Sequence, residues 1–96
     1  MAHGEARYVR NPDYIYRTVV GEAVLVPIHQ NVADMECIYT LNEVGAFIWQ
    51  KLDAPATAAE LQKAVLDEYE ANAEAVAVDV DLFLRGMVEI DAIRRV

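Results

Sequence analysis

The feature that most constrains this sequence is a single change of hydrophobic period near residue 42. Before it, apolar and β-branched residues cluster in short runs that alternate at period two. After it, from Val44 onward, they recur every three or four positions. Period two places side chains on one face of a strand, and period 3.6 places them on one stripe of a helix. A chain that switches once between them must cover a small sheet with helices.

Three strands are expected before the switch. Asn11-Pro12-Asp13 is a turn signal, because proline fixes φ and the flanking side chains bond nearby backbone. Tyr14 to Val20 is rich in aromatic and β-branched residues, which suit a pleated surface. A second run, Ala23 to Ile28, follows Gly21-Glu22, so the pair reads as a hairpin closed by a type II′ turn. Val24, Val26 and Ile28 are its expected core face. Pro27 cannot donate a ladder bond and belongs at a strand end or an unpaired position. After a polar loop from His29 to Asp34, Met35 to Leu41 is the third strand, with Met35, Cys37, Tyr39 and Leu41 facing the core.

Three helices are expected after it. Val44, Phe47, Ile48 and Leu52 form the first stripe, capped by Thr40-x-x-Glu43 or by Asn42. Trp49 lies one position off that stripe, at its edge. Asp53-Ala54-Pro55 ends the helix, since the residue before proline avoids helical geometry. Thr57-x-x-Glu60 is a second capping box, followed by Leu61, Val65 and Tyr69. Asn72 caps the third helix, whose apolar face is Val76, Val80, Phe83, Leu84 and Met87, with Asp81 and Arg85 as an i,i+4 pair. Gly86 inside it allows close approach of another backbone. Ile90 to Ile93 reads as a short extension before solvated Arg94-Arg95. The expected fold is α+β in the order β-β-β-α-α-α. Residues 1–13 form an irregular lead-in and 14–96 a single domain.

Composition removes several function classes. The 96 residues carry 8 basic and 16 acidic groups, a net charge of −8. Residues 1–48 hold three basic and six acidic groups, and residues 49–96 five and ten, so neither half attracts a polyanion. A regulatory or DNA-binding winged helix is the alternative reading, but the second helix offers only Lys63 among Glu60, Asp67, Glu68 and Glu70. The chain contains no serine, which removes serine hydrolases and phosphopantetheine carriers. No apolar run approaches the roughly 18 residues of a membrane span. Met1 to Arg10 lacks an apolar signal core, so a cytoplasmic protein is expected.

Candidate chemistry is sparse. His3, His29 and Cys37 are far apart in sequence, whereas zinc requires about four ligands. Cys37, mid-strand on the apolar face, reads as a small hydrophobe and not as a nucleophile paired with His29. Asp67, Glu68 and Glu70, and the pair Asp79 and Asp81, do not match a calcium loop and read as solvated helix surface. No phosphate-cradling glycine motif occurs. Neither an enzyme nor a cofactor site is expected. What remains is a sheet whose two edges the sequence cannot both pair, which is a template for strand addition.

Several segments resemble one family. They are Asn11-Pro12-Asp13, Val24-Leu25-Val26-Pro27, the run from Tyr39 to Trp49, Thr57-Ala58-Ala59-Glu60-Leu61, Leu66-Asp67-Glu68-Tyr69, and Asp79-Val80 with Phe83-Leu84. Together, over residues 8–95, they resemble the pyrroloquinoline quinone biosynthesis protein D family, the small peptide chaperones also called RiPP recognition elements. The chain departs from the family pattern at Ala54-Pro55 and Ala92-Ile93, where glycine is usual. The resemblance implies a non-catalytic, winged-helix-like protein without a cofactor. It would bind the leader of a ribosomally made precursor peptide and present it to a radical S-adenosylmethionine enzyme. It also implies where the leader lies: along an acceptor strand of Met35, Glu36, Cys37, Ile38, Tyr39 and Thr40, and against Asp79, Phe83, Arg85, Gly86 and Glu89 of the third helix. The same free edge would allow a homodimer.

Overall fold

The computed structural model describes residues 6–28 and 39–96. Its order is β1 (Arg7–Arg10), β2 (Tyr14–Val19), β3 (Glu22–Pro27), β4 (Tyr39–Leu41), α1 (Glu43–Lys51), β5 (Ala56–Thr57), α2 (Ala58–Glu68), α3 (Ala73–Glu89) and β6 (Ile93–Arg95). The α+β architecture holds, with an antiparallel sheet β2-β3-β4 ahead of the helices. A second sheet, β5-β1-β6, was not expected. It takes Arg7–Arg10 from the segment expected to be irregular and pairs it with Ala56–Thr57 on one side and Ile93–Arg95 on the other. Of the expected extension Ile90 to Ile93, Ile90 caps α3 and only Ile93 enters a strand, β6, on which Arg94 and Arg95 are exposed.

The hairpin differs by one residue from the expected one. Its loop is Val20-Gly21, with Val19 opposite Glu22. Both loop residues have positive φ, 51° and 81°, so the turn is type I′ and not type II′. The core face of β3 is also shifted. Leu25 is fully buried and Ile28 is exposed, while Val24 is buried outside the main cluster. Ala23 to Pro27 is apolar at every position, so alternation alone cannot choose a face, and a one-residue slip exchanges them. Tyr39 and Leu41 lie on the core side, as expected, with Tyr16 opposite Leu25 and Leu25 opposite Tyr39. Pro27 is the last residue of β3.

Caps set the helices. Asn42, and not Thr40, caps α1, its Oδ1 accepting the Gly45 N–H at 2.7 Å, while Thr40 is part of β4. Thr57 and Glu60 form the full capping box of α2, and Asn72 accepts from Glu74 and Ala75 at the start of α3. The buried stripe of α1 is rotated from the expected one. Trp49 is 2% exposed, and Val44 and Phe47 are half-buried. Arg10 covers the Trp49 ring at 5.9 Å, so β1 supplies the lid that the sequence pattern did not reveal. Ile48, Trp49, Leu52, Leu61, Val65, Val80 and Ile93 make the centre of the core. Each such side chain contributes about 1.5–3 kcal/mol by leaving water.

Asn11 ties the two ends together. It is 3% exposed, its Nδ2 donates to the Asp91 carbonyl at 2.8 Å, and its backbone N–H donates to Ala92. Asp91 has φ 62° and ends α3 in a Schellman arrangement, with Ala92 N–H on the Met87 carbonyl and Asp91 N–H on Val88.

Candidate peptide-binding edge and cleft

The free edge follows from the hairpin. A two-residue loop makes Val19 and Glu22 the closing hydrogen-bonded pair. Alternation along β3 then turns the peptide groups of Val24 toward β2 and those of Ala23 and Leu25 toward β4. Ile28 continues the pattern, its N–H reaching back to the Asp13 carbonyl at 2.8 Å. Tyr39 and Leu41, opposite Leu25 and Ala23, therefore direct their peptide groups at β3. Thr40, between them, directs its N–H and C=O away from the sheet. Among the described residues no strand pairs with that side of β4. Of the expected acceptor strand, Tyr39 and Thr40 are in β4. Met35, Glu36, Cys37 and Ile38 lie outside the described residues, as do His3 and His29.

Beside the β4–α1 junction is a cleft of about 310 Å³, lined by Asn42, Val44, Gly45, Ile48, Asp79, Leu82 and Phe83. Two of the expected helix residues, Asp79 and Phe83, thus stand opposite the start of α1. Gly45 permits this closeness, since a β-carbon there would lie 3.2 Å from Phe83 Cε1. Leu82 is 61% exposed and Val78 57% exposed, one helical turn apart on the same face. Val44, Gly45 and Leu82 were not picked out from sequence as site residues. The spacing of Val78 and Leu82 outside the buried stripe was the available signal.

Gly86 is four residues beyond Leu82 and shares its side of α3. It is exposed, with open space where a β-carbon would stand. Arg85 and Glu89 are on the other flank of α3. They line a separate hollow of about 330 Å³ with Tyr8, Val88 and Arg95. Arg85 is held there by Asp81 at 3.0 Å. The expected helix residues therefore divide between two flanks.

The described residues bring no catalytic constellation together. Lys63, the one cation of α2, is paired with Asp67 at 3.4 Å. Among the described residues no group of three or more His, Cys, Asp or Glu side chains is placed to hold a metal ion. No described helix is long and apolar enough to cross a membrane.

Comparison with known proteins places this arrangement. The family model for Coenzyme PQQ synthesis protein D (PqqD) matches residues 22–93, more than half of the chain. None of the curated proteins compared with the chain matches it. Among solved structures, TbiB1 in complex with the TbiA(beta) leader peptide matches with a TM-score of 0.70 and 21% identity, over 90% of this chain and 94% of that one. Lasso peptide synthetase B1 complexed with the leader peptide matches with a TM-score of 0.70 and 17% identity, over 91% of this chain and 96% of that one. At these identities the likeness is one of fold.

Proposed function

Since this chain belongs to the Coenzyme PQQ synthesis protein D (PqqD) family, we propose that it is a non-catalytic carrier of a peptide substrate. It binds the leader of a ribosomally made precursor by strand addition to the free edge of β4. The observation that carries this reading is the outward-facing Thr40 peptide group beside the cleft between the β4–α1 junction and α3. Two proteins of the same fold are complexes with leader peptides, which supports it.

The physics is that of β-augmentation. Backbone hydrogen bonds give affinity without regard to sequence, and alternate side chains give selectivity. Here Leu82, Phe83 and Val44 offer the apolar wall for those side chains, and Asp79 the polar one. Ordering a flexible leader offsets part of the gain, so micromolar binding or somewhat tighter, about −8 to −10 kcal/mol, is expected. The carrier then delivers the leader to a modifying enzyme in the cytoplasm, in this family a radical S-adenosylmethionine protein. A second copy pairing on the same edge would form a homodimer that competes with the leader.

Thr40→Pro tests the reading. Proline there removes an N–H that makes no bond to β3, and edge strands tolerate it. The expected result, by calorimetry with the leader of any short peptide encoded next to the gene, is loss of binding in a variant that still melts cooperatively. Wild-type affinity in that variant would refute strand addition at β4.

A further inference from the structure

A hollow of about 330 Å³ opens where β1 turns into β2, lined by Arg10, Asn11, Pro12, Tyr14, Tyr16 and Trp49. It lies at the β2 edge of the sheet, across β3 from the β4 edge. Trp49 is the chain's one tryptophan and is 2% exposed. Its indole N–H, a donor only, bonds no described group. No fully buried side-chain nitrogen or oxygen among the described residues is left without a partner, so Nε1 is not fully buried. The sliver of Trp49 still exposed therefore includes Nε1, at the hollow that Trp49 lines. Arg10 stands over the same ring, 5.9 Å from its centroid. The Arg10 backbone N–H on the Leu52 carbonyl and its Nη1 on the Trp49 carbonyl, at 3.5 Å, hold it there. One of five guanidinium N–H groups is thus used. Among the described residues Arg10 is in no ion pair, and none of the lining residues is Asp or Glu. The side-chain amide of Asn11 is committed to Asp91 and Asp13. The hollow thus offers a guanidinium and a nearly dry indole N–H between aromatic rings, with no resident anion.

We infer that this hollow receives the terminal carboxylate of a peptide chain laid along β2. Two donors, one of them a cation able to meet both oxygens, complement a carboxylate, and the low exposure of the indole strengthens the bond. The backbone of β2 says what carries it. Ile15, Arg17 and Val19 are the hydrogen-bonded partners of Val26, Val24 and Glu22, in phase with the bond from Ile28 to Asp13. Tyr16 and Thr18 therefore direct their N–H and C=O groups away from β3. Among the described residues no strand pairs with that side of β2. Tyr16 belongs both to this edge and to the wall of the hollow. A strand added antiparallel to β2, in keeping with the rest of the sheet, runs toward Tyr14 and brings its C-terminal end to Arg10 and Trp49. Edge pairing and capture of a chain terminus are two established modes of peptide recognition, here combined. This site is independent of strand addition at β4.

The test follows the single indole N–H resonance of Trp49 by NMR in the isotope-labelled full chain. The probes are the peptides N-acetyl-Thr-Val-Thr-Xaa, with Val, Leu or Phe as Xaa, each as the free acid and as the C-terminal amide. Sodium acetate and an amide-ended peptide with Glu as Xaa complete the set. At least one free acid is expected to move the indole resonance saturably, together with the Tyr16 and Thr18 amides, with a Kd on the order of a millimolar. Its amide should bind at least about fivefold more weakly, and acetate should not saturate over the same range. Arg10→Gln, with folding checked by its melt, should abolish the preference for acid over amide. Should that variant fail to fold, the comparison of acid with amide on the wild type decides alone. No saturable response to any acid, binding that leaves the indole unmoved, or equal responses to acid and amide would overturn the inference. So would acetate binding as tightly as the best acid, or the amide-ended Glu peptide doing so, since the site would then not read a chain terminus. Each of these outcomes leaves strand addition at β4 standing.

Discussion

Gly45 and Phe83 meet so closely that a β-carbon on the glycine would stand 3.2 Å from Phe83 Cε1, and 3.1 Å from the capping oxygen of Asn42. The ring of α3 and the first turn of α1 therefore share one space at the floor of the cleft. Gly45→Ala gains helix propensity of about 1 kcal/mol and loses part of it to this crowding. The expected outcome is a stability change below about 1 kcal/mol in denaturant melts, with leader affinity reduced several-fold as Phe83 is displaced into the cleft. Unchanged affinity would show that the leader does not touch this floor.

Val20 is a β-branched residue held at φ 51° and 97% exposed. It makes no packing contribution that offsets the left-handed geometry, which costs roughly 1–2 kcal/mol in an L-residue with a β-carbon. Asn-Gly is the preferred pair for a type I′ loop. Val20→Asn is expected to stabilise the fold by about 1 kcal/mol and raise Tm by about 4–8 °C. A thermal melt with no increase would contradict the turn assignment.

Asn11 leaves two polar groups stranded when truncated: the Asp91 carbonyl that its Nδ2 reaches, and the Asp13 N–H that its Oδ1 accepts. Asn11→Ala is expected to cost about 2 kcal/mol, read as a lower denaturation midpoint. A cost near zero would mean that water replaces the clamp.

Glu60 has its carboxyl held below the ordinary value of 4.5, chiefly by the Thr57 backbone N–H it accepts. A depressed carboxyl stabilises the fold at pH above its unfolded value, and that stabilisation is lost as pH falls through the lower folded value. Glu60→Gln retains a group that can accept this bond but does not titrate. Its acid-unfolding limb is expected to be shallower below about pH 4.5 than in the wild type. Coincident acid limbs would remove Glu60 from the acid response.

The parts of the fold that were legible in the sequence are those written locally. Thr57 with Glu60, Asn72, and the stripe of Val76, Val80 and Leu84 each sit within one helix, and the structure places them as the pattern reads. The unexpected sheet is the opposite case. Arg7–Arg10 pairs with residues near 56 and 94, and strands of two to four residues are too short to show a period. Leu25 lies in an unbroken apolar run, so its face depends on the Val20-Gly21 register. Trp49 is buried because Arg10 of β1 comes over it, which no spacing within α1 encodes. In the candidate site, Asp79 and Phe83 were readable from the resemblance. The role of Gly45 was not, because it depends on a ring that is 38 residues away in sequence.

Hydrogen exchange at the Thr40 amide, followed by NMR in isotope-labelled chain, tests strand addition most directly. In the free chain this outward N–H should exchange quickly, while Tyr39 and Leu41, bonded to β3, exchange slowly. With saturating leader peptide Thr40 should become as protected as its neighbours. A bound leader that leaves the Thr40 amide exchanging at its free rate would contradict strand addition at β4.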